Sequence, residues 1–304
     1  MQTTLAIRRL VRRRGARQGA GQLRRNEALT GMAFIAPSLA GCLVFVFVPF
    51  LDALRRSVTN GFTGGFAGLT YYIEIFHNQS FLTAVANTGR FIALCVPALV
   101  ALSLGLALAL DESVPGHGAL RAAFLLPMAV PVACVALLWQ LLFHQNGLVN
   151  AIPRLLSLPS IDWTRGGWAL ACLIISYVWK NVGYNMVLFI AGLGGISATL
   201  YEAAAVDGAS PARRFISITL PCLKPTVFTV TVLSLLGAFK SYREAYLVAG
   251  SYPPGSVYLL QHTLNNWFAK LEIERLSAAA VVTAAVILAL VALLNRAWAS
   301  DAGL

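Results

Sequence analysis

The chain has 304 residues, of which 58% are hydrophobic and 12% charged, with a mean hydropathy of +0.72. A soluble globular domain carries about a quarter charged residues, so this composition excludes an ordinary water-soluble protein and leaves room for about six helical spans of ~20 residues. The formal net charge of +11 does not point to nucleic acid, because the arginines from Arg8 to Arg25 stand directly before the first apolar run, where basic residues set topology and meet anionic lipid.

In chain order, a basic N-terminal arm (1–30) precedes a transmembrane region (31–304), an all-α membrane fold with apolar segments at 32–54, 88–110, 122–143, 168–193, 226–248 and 277–297. The first run is too long for a signal-peptide h-region and no A-x-A site follows it, so it reads as a retained span. Each segment can cross the bilayer as a helix that satisfies its own backbone hydrogen bonds. None has the dyad alternation of a membrane β-barrel strand. Basic residues concentrate on the side of the N-terminal arm (Arg121, Arg213, Arg214, Lys224, Arg296), against Arg55, Arg56, Arg154, Arg165, Lys270 and Arg275 on the other. That bias places both termini in the cytoplasm, and Tyr, Trp and Phe in the outer connections read first as an interfacial belt. The triplet Asn78-Gln79-Ser80 matches a glycosylation acceptor, a pattern too common to carry weight.

Catalytic signatures are missing. The dipeptide Gly-Lys does not occur, so there is no P-loop, and neither H-E-x-x-H nor G-x-S-x-G is present. The five cysteines (Cys42, Cys95, Cys134, Cys172, Cys222) form no C-x-x-C pair and the four histidines have no paired carboxylates, which argues against a disulfide or metal framework. Neither an enzyme nor a bound cofactor is expected of this chain. Lys180 lies in the middle of the fourth segment, with Asn181, Tyr184 and Asn185 near it, and Lys240, Tyr242, Arg243 and Glu244 lie late in the fifth. A charge at a helix centre costs ~3 kcal/mol on insertion scales, so such groups face a cavity, a partner or each other. Lys240 and Glu244 have i, i+4 spacing and read equally as a structural pair.

Between the fourth and fifth segments stands EAAAVDGASPARRFISITLPCLKP, residues 202–225. Glu202 and the alanines after it favour helix, and Asp207-Gly208 is a break. Ser210-Pro211 reads as an N-cap with proline at the first helical position. Ala212, Phe215, Ile216, Thr219 and Leu220 then recur on one helix face, with Pro221 expected to close this second short helix before the fifth span. Such an element can lie on lipid or insert into a groove on a soluble partner, and spacing alone leaves both open.

The segment resembles the EAA loop of binding-protein-dependent ABC importer permeases, with Glu202, Ala203, Ala204, Asp207, Gly208, Ala209, Phe215, Ile218, Leu220, Pro221 and Pro225 in register. The preceding stretch with Trp179, Gly183, Asn185, Phe189, Ala191, Gly192 and Leu193, and LLPMAVP around Pro127 and Pro131, are similar to spans of the carbohydrate-type, maltose-transporter permeases. Gly195-Ile196-Ser197 departs from the family's polar-Ile-Pro step, and Tyr252-Pro253-Pro254-Gly255 from its Gly-Gly-Pro turn.

The resemblance implies a type I importer fold whose 194–225 loop is a coupling helix seated in an ATPase subunit. Glu202 would approach basic groups there, Gly208 would allow the close turn, and Arg213, Phe215, Ile216 and Leu220 would complete the contact. It implies as partners a second, different permease, two ATPase subunits that bind ATP and Mg, and an extracytoplasmic binding protein, in a bacterial cytoplasmic membrane. Lys180, Asn181, Tyr184, Asn185, Tyr242 and Glu244 become candidates for the path of a sugar or oligosaccharide, with contact to the second permease as the other reading. A secondary transporter is the alternative; the few intramembrane carboxylates and the lack of an internal repeat stand against it.

Overall fold

A computed structural model describes residues 30–61, 63–110, 116–161, 163, 166–241, 245, 253 and 255–299. Among the described residues helix is the regular structure, with one isolated bridge between Thr59 and Phe66. Among the described residues six stretches are long and apolar enough to cross a membrane: Thr30–Arg56, Gln79–Ala109, Val132–Leu155, Ala169–Gly194, Pro211–Phe239 and Ile273–Trp298.

Helix α1 (Thr30–Arg56) belongs to a unit of its own that ends at Arg56. Asp52 closes it with ion pairs to Arg55 at 3.3 Å and Arg56 at 2.6 Å. Its π turn at Leu43–Phe47 ends two residues before Pro49. Proline has no N–H and crowds the carbonyl four residues back; one extra residue in the turn relieves that crowding and lets the helix run on.

The second unit begins at Ser57. Its helices are α2 (Thr70–His77), α3 (Gln79–Ala109), α4 (His117–Ala129), α5 (Val132–Phe143), α6 (Ala151–Leu155), α7 (Ala169–Gly194), α8 (Ala198–Val206), α9 (Pro211–Phe239), α10 (Leu260–Ala269) and α11 (Ile273–Ala299). Four boundaries differ from those the sequence suggests. Helix α3 starts at Gln79 rather than near 88, because the Asn78 side chain accepts from the Phe81 N–H at 3.0 Å, which makes that asparagine a helix N-cap. The stretch 122–143 is two helices, since Pro131 forces Val130 into an extended conformation, ψ 132°. Pro221 closes nothing: α9 is continuous from Pro211 to Phe239, with a second π turn at Phe215–Thr219 ending, as in α1, two residues before a proline. Helix α9 also ends early, with the Lys240 N–H bonded to Gly237 O at 3.0 Å. Lys240 therefore stands past the helix; Glu244, read with it at i, i+4 spacing, lies outside the described residues.

Helix α7 packs against α3, α4 and α9. One core joins Phe91, Cys95 and Leu99 of α3 to Leu173 and Tyr177 of α7; another joins Ala107, Met186, Phe189 and Val230. Backbone proximity makes this possible. A Cβ on Gly183 would collide with the backbone carbonyl of Phe124 in α4, and one on Gly192 with the Thr226 side chain in α9.

At the end of the unit opposite α8, buried polar side chains knit the connections. Asn150 donates to His144 O at 3.2 Å and Ile161 O at 2.8 Å, and accepts from the Ile161 N–H and Trp163 Nε1, both at 3.1 Å. Asn87 of α3 donates to Gly255 O and, at 3.2 Å, to Tyr258 O, and the Leu260 N–H donates to Thr88 Oγ1 at 2.8 Å. Fully buried His262 accepts the Leu259 N–H on Nδ1 at 3.1 Å, and burial pushes its pKa down to about 4.

Two stability predictions follow from this packing. Gly183→Ala should lower the thermal unfolding midpoint, at a cost of roughly 1–3 kcal/mol for overpacking against a backbone that cannot yield. Gly194→Ala, whose new Cβ meets nothing within 4 Å, should leave it unchanged or slightly raised. His262 is neutral when folded, but its unfolded counterpart gains a proton as pH falls through its ordinary value of 6.5. Stability contributed by neutral His262 should hold above that value and decline toward pH 4, by up to about 3 kcal/mol. Melting curves across pH 4–7.5 should show this slope in the wild type and lose it in His262→Gln.

Candidate functional site

The 202–225 segment folds as two helices about a glycine. Helix α8 ends in a complete Schellman motif: Gly208 has φ +73°, its N–H bonds to Ala205 O at 3.1 Å, and the Ala209 N–H bonds to Ala204 O at 2.9 Å. Those bonds satisfy carbonyls that a helix end otherwise leaves open. Only glycine takes this conformation without Cβ strain. Ser210 then caps α9, its Oγ accepting from the Arg213 N–H at 3.3 Å ahead of Pro211. Arg214 Nε donates to Ala209 O at 3.0 Å, and Tyr201 Oη and Thr219 Oγ1 share a bond of 2.8 Å that ties α8 to α9.

This bracing turns the reactive groups outward. Glu202, Ala203, Asp207, Gly208, Arg213, Leu220 and Pro221 are exposed, while Ala204, Ala209 and Phe215 are half-buried. Val206 is 89% exposed and Ile216 63%. Glu202, Asp207 and Arg213 make no side-chain hydrogen bond or ion pair among the described residues. The single apolar face drawn through Ala212, Phe215, Ile216, Thr219 and Leu220 does not form, because the π turn rotates the register: Thr219 is buried while Ala212, Ile216 and Leu220 point outward. Val206 was not foreseen as a surface residue, although its place beside the Asp207-Gly208 break marks it.

On α7, Lys180 and Asn181 are half-buried and Tyr184 is 38% exposed. Asn181 Nδ2 donates to Tyr177 O in its own helix at 2.7 Å. Asn185 is buried and donates to Ser234 Oγ of α9 at 2.7 Å, beside the Tyr177 hydroxyl, which donates to Ser234 O at 3.2 Å. Asn185 therefore joins two helices. Tyr177 is the residue the sequence reading missed, and its i, i+4, i+8 spacing with Asn181 and Asn185 is the signal that could have found it. Tyr242 and Glu244 lie outside the described residues. Trp179 meets Trp139 of α5 edge-on at 5.5 Å, and Trp139 stacks on Phe143 at 5.1 Å. Among the described residues no three His, Cys, Asp or Glu side chains gather as a metal ligand set would.

The sequence profile of the family described as "Binding-protein-dependent transport system inner membrane component" matches residues 101–299. The chain belongs to that family. As a permease of this kind it is a multi-pass inner-membrane transport component and not an enzyme. It is 34% identical over 253 residues to the trehalose/maltose transport system permease protein MalF of Thermococcus litoralis, covering 81% of this chain and 86% of that one. The sn-glycerol-3-phosphate transport system permease protein UgpA of Agrobacterium fabrum is 30% identical over 267 residues, 85% and 90% of the two chains. A crystal structure of a bacterial ABC transporter that imports the acidic polysaccharide alginate contains a chain of the same fold, with TM-score 0.79 at 22% identity over 92% of this permease and 97% of that chain.

The turn chemistry gives a graded expectation. Gly208→Ala should cost about 1–2 kcal/mol through the backbone alone, since a Cβ there meets no atom of the chain within 4 Å. Gly208→Asn should cost less than Gly208→Val, because asparagine tolerates the left-handed conformation. Thermal denaturation of the purified permease variants should reproduce that order.

Proposed function

We propose that this permease is one of two different transmembrane subunits of an ATP-driven importer for a sugar or oligosaccharide, with both termini in the cytoplasm. An extracytoplasmic binding protein delivers the solute, and two separate ATPase subunits bind ATP and Mg. The observation that carries the reading is the α8–α9 turn: a braced loop that presents unpaired Glu202, Asp207 and Arg213 beside exposed Val206 and Ile216, on a chain without a P-loop. Surfaces of this kind fit an enclosing cleft on a soluble protein better than they fit water or lipid, because the charges lack partners and the apolar side chains lack cover.

In this mechanism Glu202 meets basic groups of the ATPase, Arg213 meets acidic ones, and Ala203, Ala204, Ala209, Phe215, Leu220 and Pro221 shape the seat. Closure of the ATPases on ATP displaces the turn, and the spans rock between inward- and outward-facing states as rigid bodies. Lys180, Asn181 and Tyr184, with Tyr242 and Glu244, would line the path, while Asn185 holds α7 to α9 behind it. The carbohydrate assignment draws on the sugar-importing relatives and on the polar, aromatic character of α7.

Reconstitution tests the coupling. Proteoliposomes holding this permease, its companion permease and the ATPase should accumulate labelled oligosaccharide only with binding protein and ATP. Gly208→Trp should insert normally yet reduce uptake to background while leaving co-purification of the second permease intact. Uptake at the wild-type rate by this variant would refute the assigned role of the turn.

A further inference from the structure

Helix α8 meets the rest of the unit through little of its surface. Of its nine residues only Tyr201 and Ala204 are half-buried, and the others are exposed. The Tyr201 ring lines a cavity of about 360 Å3 shared with Leu110 at the end of α3, Arg121 of α4, and Ile190 and Leu193 of α7, and its hydroxyl reaches on to Thr219 of α9 at 2.8 Å. No other side chain of α8 bonds to a span among the described residues; Thr199 turns back to Ser197. The α9 end of the bond is as specific. Thr83, Thr88, Thr229, Thr231 and Thr283 return their hydroxyls to the carbonyl four residues earlier in their own helices, the ordinary behaviour of a threonine inside a helix. Thr219 bonds across to α8 instead. It is the last residue of the π turn, where the Leu220 N–H bonds to Phe215 O five residues back, and it is buried while Leu220 beside it is exposed. A π turn is also where a long helix bends most readily. The turn at Gly208 lies on one side of that weak point and the membrane-spanning length of α9 on the other, and the Tyr201–Thr219 bond joins α8 to the far end of the π turn.

We propose that Tyr201 and Thr219 are positioning residues for transport: their bond carries a displacement of the α8–α9 turn past the π turn and into the spans. The inference rests on the coupling role proposed above for that turn and adds the route by which its movement leaves. Without the bond, a load applied at Gly208 or Arg213 reaches the span only through Phe215–Thr219, and bending there absorbs part of it. With the bond, α8 pulls directly on the residue that ends the π turn, while the ring of Tyr201 bears on the ends of α3 and α7 across the cavity wall. Neither residue needs to touch the ATPase or the solute for this.

The test uses the complete assembly in proteoliposomes and reads the ATP hydrolysed per molecule imported, with the oligosaccharide that the wild-type assembly accumulates. Tyr201→Phe keeps the ring in the cavity and Thr219→Val keeps the volume at 219; each removes the bond and should raise the ratio about fivefold, the factor that corresponds to one hydrogen bond. The double variant should raise it no further, because both single changes break the same bond. Thr219→Ser keeps the hydroxyl and should stay at the wild-type ratio. A loss of folded or assembled protein lowers hydrolysis and uptake together and leaves the ratio where it was, so the ratio separates coupling from stability. An unchanged ratio in both single variants, a double variant that adds the two effects, or a Thr219→Ser variant as uncoupled as Thr219→Val would overturn the proposal. Gly208→Trp is the control. Background uptake by Gly208→Trp with an unchanged ratio in Tyr201→Phe would overturn this route alone, whereas wild-type uptake by Gly208→Trp would overturn the coupling reading beneath it.

Discussion

The close approach of helix backbones along α7 is the constraint on which the second unit depends. In a membrane the apolar effect does not drive helix against helix, because lipid tails are as apolar as leucine; contact area and hydrogen bonds must do it. Gly183 and Gly192 let α4 and α9 come near enough for that contact, and Asn185 and Tyr177 add hydrogen bonds to Ser234. A side chain at Gly192 would push α9 away and strand the polar groups bonded to Ser234, and one at Gly183 would push α4 away. Glycines on α7 thus provide the proximity and its polar side chains the hydrogen bonds.

Because α7 ends at Gly194 and α9 begins at Pro211, the turn at Gly208 hangs from two helices that are already fastened together. The continuity of α9 matters here. Had Pro221 ended a short helix, as its chemistry alone suggests, a displacement at the turn would have been absorbed in a flexible joint. The π turn at Phe215–Thr219 instead carries the helix past the proline, so a load on Arg213 is borne by a helix of 29 residues, about 43 Å long. The Tyr201–Thr219 bond adds a second tie beside the π turn. On the proposed function, a loop built this way would transmit motion as a body.

How much of this the sequence showed depended on whether the cause was local. Span number followed from apolar length, and the Asp207-Gly208 break and Ser210-Pro211 start followed from residue chemistry that acts within four positions. The extended start of α3 was also local, but Asn78 was read for a modification pattern and not for its place ahead of a helix. The π turns were hidden because no residue type announces them: one ends two positions before Pro49 and one before Pro221, but Pro97 and Pro225 sit inside α3 and α9 without a π turn, and at Pro131 the helix breaks. Contacts between helices were the least legible. Asn185 looked like a path residue because polarity in a span is conspicuous, whereas its partner Ser234 is too small and too common in spans to draw notice.

A difference in kind separates the two polar regions. At Asn150, Asn87 and His262 the polar groups find partners inside the chain, and substitution there trades against stability. At Glu202, Asp207 and Arg213 none finds a partner among the described residues, and the folded chain gains little from keeping those charges. Exposed charges without partners contribute almost nothing to folding, so the energetics of the isolated chain give no reason for three of them around a turn already closed by the Gly208–Ala205 and Ala209–Ala204 backbone bonds. On the proposed function their contribution comes in an assembly, where a complementary surface desolvates both sides and one lost partner costs more than an exposed pair supplies.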